Sequence, residues 1–219
     1  MSLRSGLKTI GGYKLPRVAH IIGNGDHSHL YNSRKRKGLK LTCNLPPFPV
    51  PDAYATTMVD FKMMRAITKG ELEVPGQWII GMRPKIWMEK NTGFYMQRAN
   101  QVKEIYTVLP SYCPNYTDLS CGHFAAHYAA NKLKADIIHL YGFDSCFDFN
   151  LRSCSDFYQH SDREKMNTNR LASNWRPVWT GMFKEFPNTE FIFHHIHDNY
   201  KMPVSDNVRT EVYSKKDMK

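Results

Sequence analysis

The chain has 219 residues, 42% hydrophobic and 23% charged, with 30 Lys and Arg against 20 Asp and Glu for a net charge of +10. That suffices for one α/β domain with a proper core and is too little for two large ones. The spread of Val, Ile, Leu, Phe and Tyr, with only five Cys, excludes collagen-like, disordered and disulfide-scaffold classes.

Residues 1–16, with Gly6, Gly11, Gly12 and Pro16, read as a lead-in without an apolar secretory core, and no stretch approaches ~18 uninterrupted apolar residues. A soluble, cytoplasmic protein without a transmembrane segment is expected. Val18-Ala19-His20-Ile21-Ile22 predicts a buried strand breaking at Gly23, and Leu39 to Cys43 a second ending at Asn44. Leu45 to Pro51 carries four prolines and predicts a loop. Thr56 to Val59 predicts a third strand ending at Asp60, Gln77 to Ile80 a fourth, and Ile105 to Leu109 a fifth. Short helices fit near Phe61 to Ile67 and Lys85 to Lys90.

Ser120 is a favoured N-cap before the alanine-rich helix former Cys121 to Leu133. Asp136 to Tyr141 then predicts a strand ending at Gly142-Phe143-Asp144. Helix followed closely by an apolar strand is the pattern of a parallel sheet covered on both faces. Leu171, Trp175, Val178, Trp179, Met182, Phe183 and Phe186 have helical spacing, with a kink or restart expected at Pro177. Glu190 to His194 closes the sheet, and the segment 201–219 reads as a loose polar tail. The expectation is α/β: a single Rossmann-like domain over 17–200, its sheet mostly parallel with helices on both faces.

The basic surplus favours phosphate-bearing partners: nucleotides, nucleic acid or an anionic surface. Its densest run, Arg34-Lys35-Arg36-Lys37 with Lys40, lies between two core strands and predicts a surface loop or short helix, a solvated face being the plainer reading. Cys43, Cys113, Cys121, Cys146 and Cys154 show no C-x-x-C spacing and read as free thiols in a reducing compartment. The pattern leaves a homo-oligomer open.

A strand running into Gly23-Asn24-Gly25 is where an α/β sheet places phosphates. The dinucleotide fingerprint fails, because Ser28 stands at the third-glycine position and the second strand ends in Cys43-Asn44 without an acid. NAD and FAD are therefore not expected. Asn44, Asp60, Gly142 and Asp144 also end strands, so in a parallel sheet they share one edge with Asn24. Asn24 and Asn44 offer both donor and acceptor to a base or ribose; a structural Asn is the alternative for each alone.

Ile21-Ile22-Gly23-Asn24-Gly25, Cys43-Asn44, Ser120-Cys121-Gly122 opening an Ala-rich helix, and Ile138 to Asp144 together resemble the bacterial sialyltransferases of the Campylobacter type and other proteins of that fold, in order over roughly residues 17 to 195. The resemblance implies a Rossmann-like domain with a small lid, here about 145–167, and transfer of sialic acid from a CMP sugar to a sugar hydroxyl. It implies no required cofactor and no metal, the nucleotide sugar being the donor substrate. It places Asn24 (between Gly23 and Gly25) and Asn44 on the nucleotide, and Ser120 and Gly122 at the turn holding it. Asp60 is nearest to the family's third asparagine, and Asp144 closes the Gly-x-Asp strand end. Asp26-His27-Ser28 departs from the family's Pro-Ser. His160, in a His-Ser pair, matches the lid base, and Tyr158 a lid tyrosine that touches phosphate.

Inverting transfer needs a base near neutral pH and groups that neutralise the leaving phosphate, tasks suited to His, and to Tyr with helix-terminal N–H groups. No Asp-x-Asp occurs in the chain. Other clusters have plainer readings beside functional ones. His27-Ser28-His29 can touch phosphate or a metal, or be a polar loop. His123 and His127 share a helix face but lack the zincin Glu. His194, His195 and His197 can bind metal, although strand alternation sends neighbours to opposite faces. Asp144, Asp148, Asp156 and Asp162 hold a cation only if loops gather them. Three readings stand: a nucleotide-sugar-dependent glycosyltransferase, a non-catalytic nucleotide or nucleic-acid binder using the basic run, and a metal-dependent hydrolase.

Overall fold

The computed structural model describes residues 9–10, 13–14, 16–31, 36–45, 48–147 and 175–218. A short antiparallel pair, β1 (Thr9–Ile10) with β2 (Tyr13–Lys14), comes first. The main sheet is built from β3 (Val18–Ile22), β4 (Leu39–Cys43), β5 (Ala55–Met58), β6 (Trp78–Ile80), β7 (Val102–Ile105), β8 (Ile137–Tyr141), β9 (Glu190–His195) and β10 (Val208–Val212). Its order is β10-β9-β8-β3-β4-β5-β6-β7, and every neighbouring pair is parallel. This is the Rossmann-like α/β architecture the sequence predicts. The chain steps outward from β3 to β7, then returns to lay β8 on the other side of β3, so strand order reverses between β3 and β8.

Helices make several of the crossovers that parallel strands require. In α1 (Phe61–Thr68) the Asp60 carboxylate caps the N-terminus by accepting from the Lys62 N–H at 3.1 Å. Helix α2 (Met82–Lys90) carries Pro84 in its first turn, where a missing N–H costs nothing, and α3 (Thr92–Arg98) follows. In α4 (Cys121–Asn131), Ser120 caps the helix in a reciprocal bond with His123, and Cys121 to Ala130 are all buried. A helix apolar all round belongs in an interior, and α4 lies between the sheet and α5 (Arg176–Glu185). Pro177 sits in the first turn of α5, so of the expected kink or restart it is a helix start that is found there.

Side-chain alternation sorts the core. Ala19, Ile21, Leu41, Ile138, Leu140, Phe191 and Phe193 pack with Phe124, Ala125 and Tyr128 of α4 and with Trp179, Met182 and Phe183 of α5. On the opposite side Met58, Trp78 and Ile80 meet Met63, Met64, Ile67 and Met88. Each such side chain is worth about 1.5–3 kcal/mol when fully buried.

Three expectations change at the sheet edges. The fifth strand runs Val102–Ile105, earlier than Ile105 to Leu109, and Tyr106 leaves the sheet to pack against Phe124 and Tyr128. Helix α3 was not legible, for it buries only Phe94. Residues Val208 to Val212 form the edge strand β10 in register with β9, where the sequence suggests only a loose tail. Edge strands are half-exposed and lack a continuous apolar run, so their signal is weak.

Beside the apolar clusters lies a ladder of rings. His20 is registered with His139, and Tyr141 with His194. His20 stacks on His139 at 4.8 Å, and Tyr141 stacks on His194 at 4.1 Å. His139 Nδ1 lies 2.9 Å from His194 Nε2, and His194 Nδ1 lies 2.9 Å from the Tyr213 hydroxyl. Arg36 donates to that hydroxyl at 3.0 Å, and Glu211 accepts from it at 3.1 Å. Burial holds these imidazoles neutral: His20 is lowered, His139 falls to about 4 and His194 to about 2, with neighbouring histidines and Arg36 adding to the effect. His123 falls to about 3 for the same reason, burial.

Two predictions follow from this packing. An unfolded histidine titrates near 6.5, so below that pH the unfolded chain binds protons that the folded chain refuses. Stability is full above about pH 7 and declines steadily toward pH 4; melting curves at pH 7.5 and 5.0 will show a lower melting temperature at pH 5.0, and equal values refute the buried-neutral assignment. The second concerns helix glycines. A Cβ on Gly181 of α5 would stand 2.3 Å from Tyr112 Cγ and 2.9 Å from its Cβ, while one on exposed Gly93 of α3 meets nothing within 4 Å. Gly93→Ala stabilises by about 0.5–1 kcal/mol, whereas Gly181→Ala destabilises by about 1–3 kcal/mol, as urea titration will measure.

Candidate functional site

In an open parallel sheet, ligands bind beyond the carboxyl ends of the strands where the order reverses. Here that point lies between Gly23-Asn24-Gly25 after β3 and Gly142-Phe143-Asp144 after β8. The two turns interlock. Gly23 N–H donates to the Tyr141 carbonyl at 2.8 Å and Gly25 N–H to the Gly142 carbonyl at 3.1 Å. A Cβ on Gly25 would lie 2.6 Å from Asp144 Oδ2, and one on Gly142, at φ +74°, would lie 2.9 Å from the Ser28 Cβ. These glycines thus permit backbone to pass backbone; their packing is protein on protein. Half-buried Asn24 stands within this turn.

Phe143 joins the turns to α4. Its ring is 3.3 Å from a Cβ built on Gly23 and 2.2 Å from one built on Gly122, so it fills the gap between the first turn and the helix N-terminus. Ser120 bonds His123 as the cap, which occupies its hydroxyl. Cys121, at the first position of α4, donates its thiol to the Thr57 carbonyl at 2.8 Å; Asn44 N–H donates to that same carbonyl at 2.9 Å. Asn44 and the start of α4 are therefore neighbours. Asn44 is buried, held at φ +51°, and its carboxamide Oδ1 has no hydrogen-bond partner.

Asp144 extends the site to β9. It is buried, its Oδ1 lies 2.8 Å from His27 Nδ1, and its Oδ2 accepts from the His27 N–H at 3.4 Å. His27 belongs to a 3-10 turn, Asp26–Tyr31, directly after the glycine loop. Its ring stacks on His195 at 3.8 Å, and His195 stacks in turn on Phe147 at 3.8 Å and 6°. His195 Nδ1 lies 3.3 Å from the His197 carbonyl oxygen. Nε2 of His27 and Nε2 of His195 are buried without hydrogen-bond partners. Burial, then the nearby His27, lowers His195 to about 4. His194 points to the ring ladder and His195 to this stack, as strand alternation requires.

The other expected residues take separate places. Asp60 caps α1 and stands 3.6 Å from Arg83. Arg36 bonds Tyr213, Lys40 pairs with Asp52, and Lys37 is exposed. His127 lies between the Tyr106 hydroxyl at 2.8 Å and Glu185 at 3.2 Å. His160, Tyr158, Arg34 and Lys35 lie outside the described residues, as do Asp148, Asp156, Asp162 and the proposed lid from 148 on. Cys43, Cys113, Cys121 and Cys146 are free thiols, as expected. Among the described residues no helix is long and apolar enough to cross a membrane.

The sequence sets His27, Asp144 and His195 in three separate clusters, with His29, with Asp148, Asp156 and Asp162, and with His194 and His197, and does not join them. The signals were a histidine after the glycine turn, a Gly-x-Asp strand end, and a histidine-rich last strand. Comparison of the chain with protein-family models, curated proteins and solved structures returned no match.

Proposed function

We propose that the chain binds a nucleotide or nucleotide sugar, of the CMP type, at the rim where strand order reverses, and transfers the sugar to a hydroxyl acceptor. The observation that carries this reading is Asn44. A buried asparagine in the left-handed region, with an unpartnered carboxamide oxygen, is both strained and unsatisfied; such costs persist where a ligand offsets them. Asn44 ends β4 beside the N-terminal turn of α4, whose N–H groups favour an anion. A base with an exocyclic amine, such as cytosine, supplies the donor that Oδ1 lacks.

The resemblance gives this ligand its identity and gives His160 the role of general base, with Tyr158 on the phosphate. The nucleic-acid alternative loses ground because Arg36 and Lys40 are engaged within the fold.

Melting-temperature shifts with CMP, CDP, UDP, GDP and AMP test the reading. CMP at a hundredfold excess over its Kd stabilises by about 2.7 kcal/mol. Asn44→Gly keeps the backbone at ease with positive φ while removing the carboxamide, so it weakens CMP roughly tenfold without unfolding the chain. Transfer from a CMP sugar drops by about a hundredfold or more in His160→Ala. No shift with any nucleotide rejects the reading; salt-sensitive binding of RNA or DNA alone favours the nucleic-acid alternative.

A further inference from the structure

The stack beside the switch point has the makings of a metal centre. His27, Asp144 and His195 each bring one ligand-capable atom to within 4.8 Å of the others. A tetrahedral ion with bonds of 2.0–2.2 Å spaces its donors roughly 3.4 Å apart, so small side-chain rotations close the set. The cluster is buried, with His195 0%, Asp144 5% and His27 9% exposed.

Two independent features point to a ligand. The first is His195: its Nδ1 lies 3.3 Å from both the carbonyl oxygen and the backbone nitrogen of His197, so its contacts with the protein are all on that side of the ring. Its Nε2, on the other side, is buried with no hydrogen-bond partner, an unsatisfied nitrogen that a ligand would engage. The second is charge. Asp144 is a buried carboxylate whose ion-pair partner, among the described residues, is His27, and a buried carboxylate demands a countercharge.

We propose that His27, Asp144 and His195 bind a divalent transition-metal ion, through one nitrogen of each imidazole and one carboxylate oxygen. Two nitrogens and one oxygen suit Zn2+, Co2+ or Fe2+ and ill suit Mg2+ or Ca2+, which take oxygen ligands throughout. Three protein ligands leave a coordination position for water or a substrate oxygen. The His27–Asp144 hydrogen bond belongs to the ion-free form; on loading, the proton on the ligating His27 nitrogen passes to the other ring nitrogen or to solvent. The site stands or falls independently of the nucleotide reading.

The test uses full-length protein without a polyhistidine tag, loaded with Zn2+ or Co2+, dialysed, and assayed for metal per chain by elemental analysis. One equivalent is expected, with a raised melting temperature, and at least about tenfold weaker binding in Asp144→Asn and His195→Ala. Loading well below one equivalent, or loading that both variants retain, overturns the proposal, the latter placing the ion on other histidines. If either variant fails to fold, NMR of the Co2+-loaded wild type decides. Hyperfine-shifted signals from two imidazoles support the site; any other number overturns it. Because these readouts need no nucleotide, metal binding without a CMP shift, or the reverse, separates this inference from the proposed function.

Discussion

The close passage of two turns holds the molecule's working end together. Where β3 and β8 finish, Gly23 and Gly25 run against Tyr141, Gly142 and Asp144 with two backbone hydrogen bonds and no room for a Cβ. The contact ties together the two strand ends at the strand-order reversal, the place where an open sheet binds ligands. It also fixes what lies around it. Asp144 is carried under His27, Phe143 is wedged against Gly122 of α4, and Ser28 is locked by donating to the Gly25 carbonyl at 2.7 Å.

From that seam two chemistries diverge. Toward β4 and β5 the surroundings are neutral: the Asn44 N–H and the Cys121 thiol both donate to the Thr57 carbonyl at the start of a buried helix. Toward β9 they are rich in imidazole, with His27 and His195 stacked beside a carboxylate. The separation follows from topology, because strands on opposite sides of β3 deliver their loops to opposite flanks of the same rim. A ligand long enough to span the rim would touch both.

Much of the frame was legible from the residues. The central strands Val18–Ile22 and Leu39–Cys43 were read with their observed bounds, the first because a buried parallel strand is a nearly continuous apolar run and the second because Leu39, Leu41 and Cys43 alternate with polar residues before Asn44. Ser120 as the α4 cap was equally plain. The edge strands β7 and β10 were misplaced or missed because half their side chains face water and alternate in polarity. The grouping of His27, Asp144 and His195 was illegible for another reason. His27 and Asp144 are 117 positions apart, and only the pairing of β3 with β8 and of β8 with β9 brings the three together. The glycines of the first turn were read as making space for a phosphate; the structure gives that space to a second turn and to Phe143.

The position of β3 also governs how the chain assembles. Its flank against β8 waits for residues that emerge more than a hundred positions later, Val18 pairing with Ile137. Until Tyr141 has left the ribosome, β3 presents an unclaimed row of amides and carbonyls to the cell, and closing so long a loop delays their capture. Nascent chains are thus most open to strand-to-strand aggregation during synthesis of the middle of the protein, so slower expression at low temperature favours recovery of the native fold.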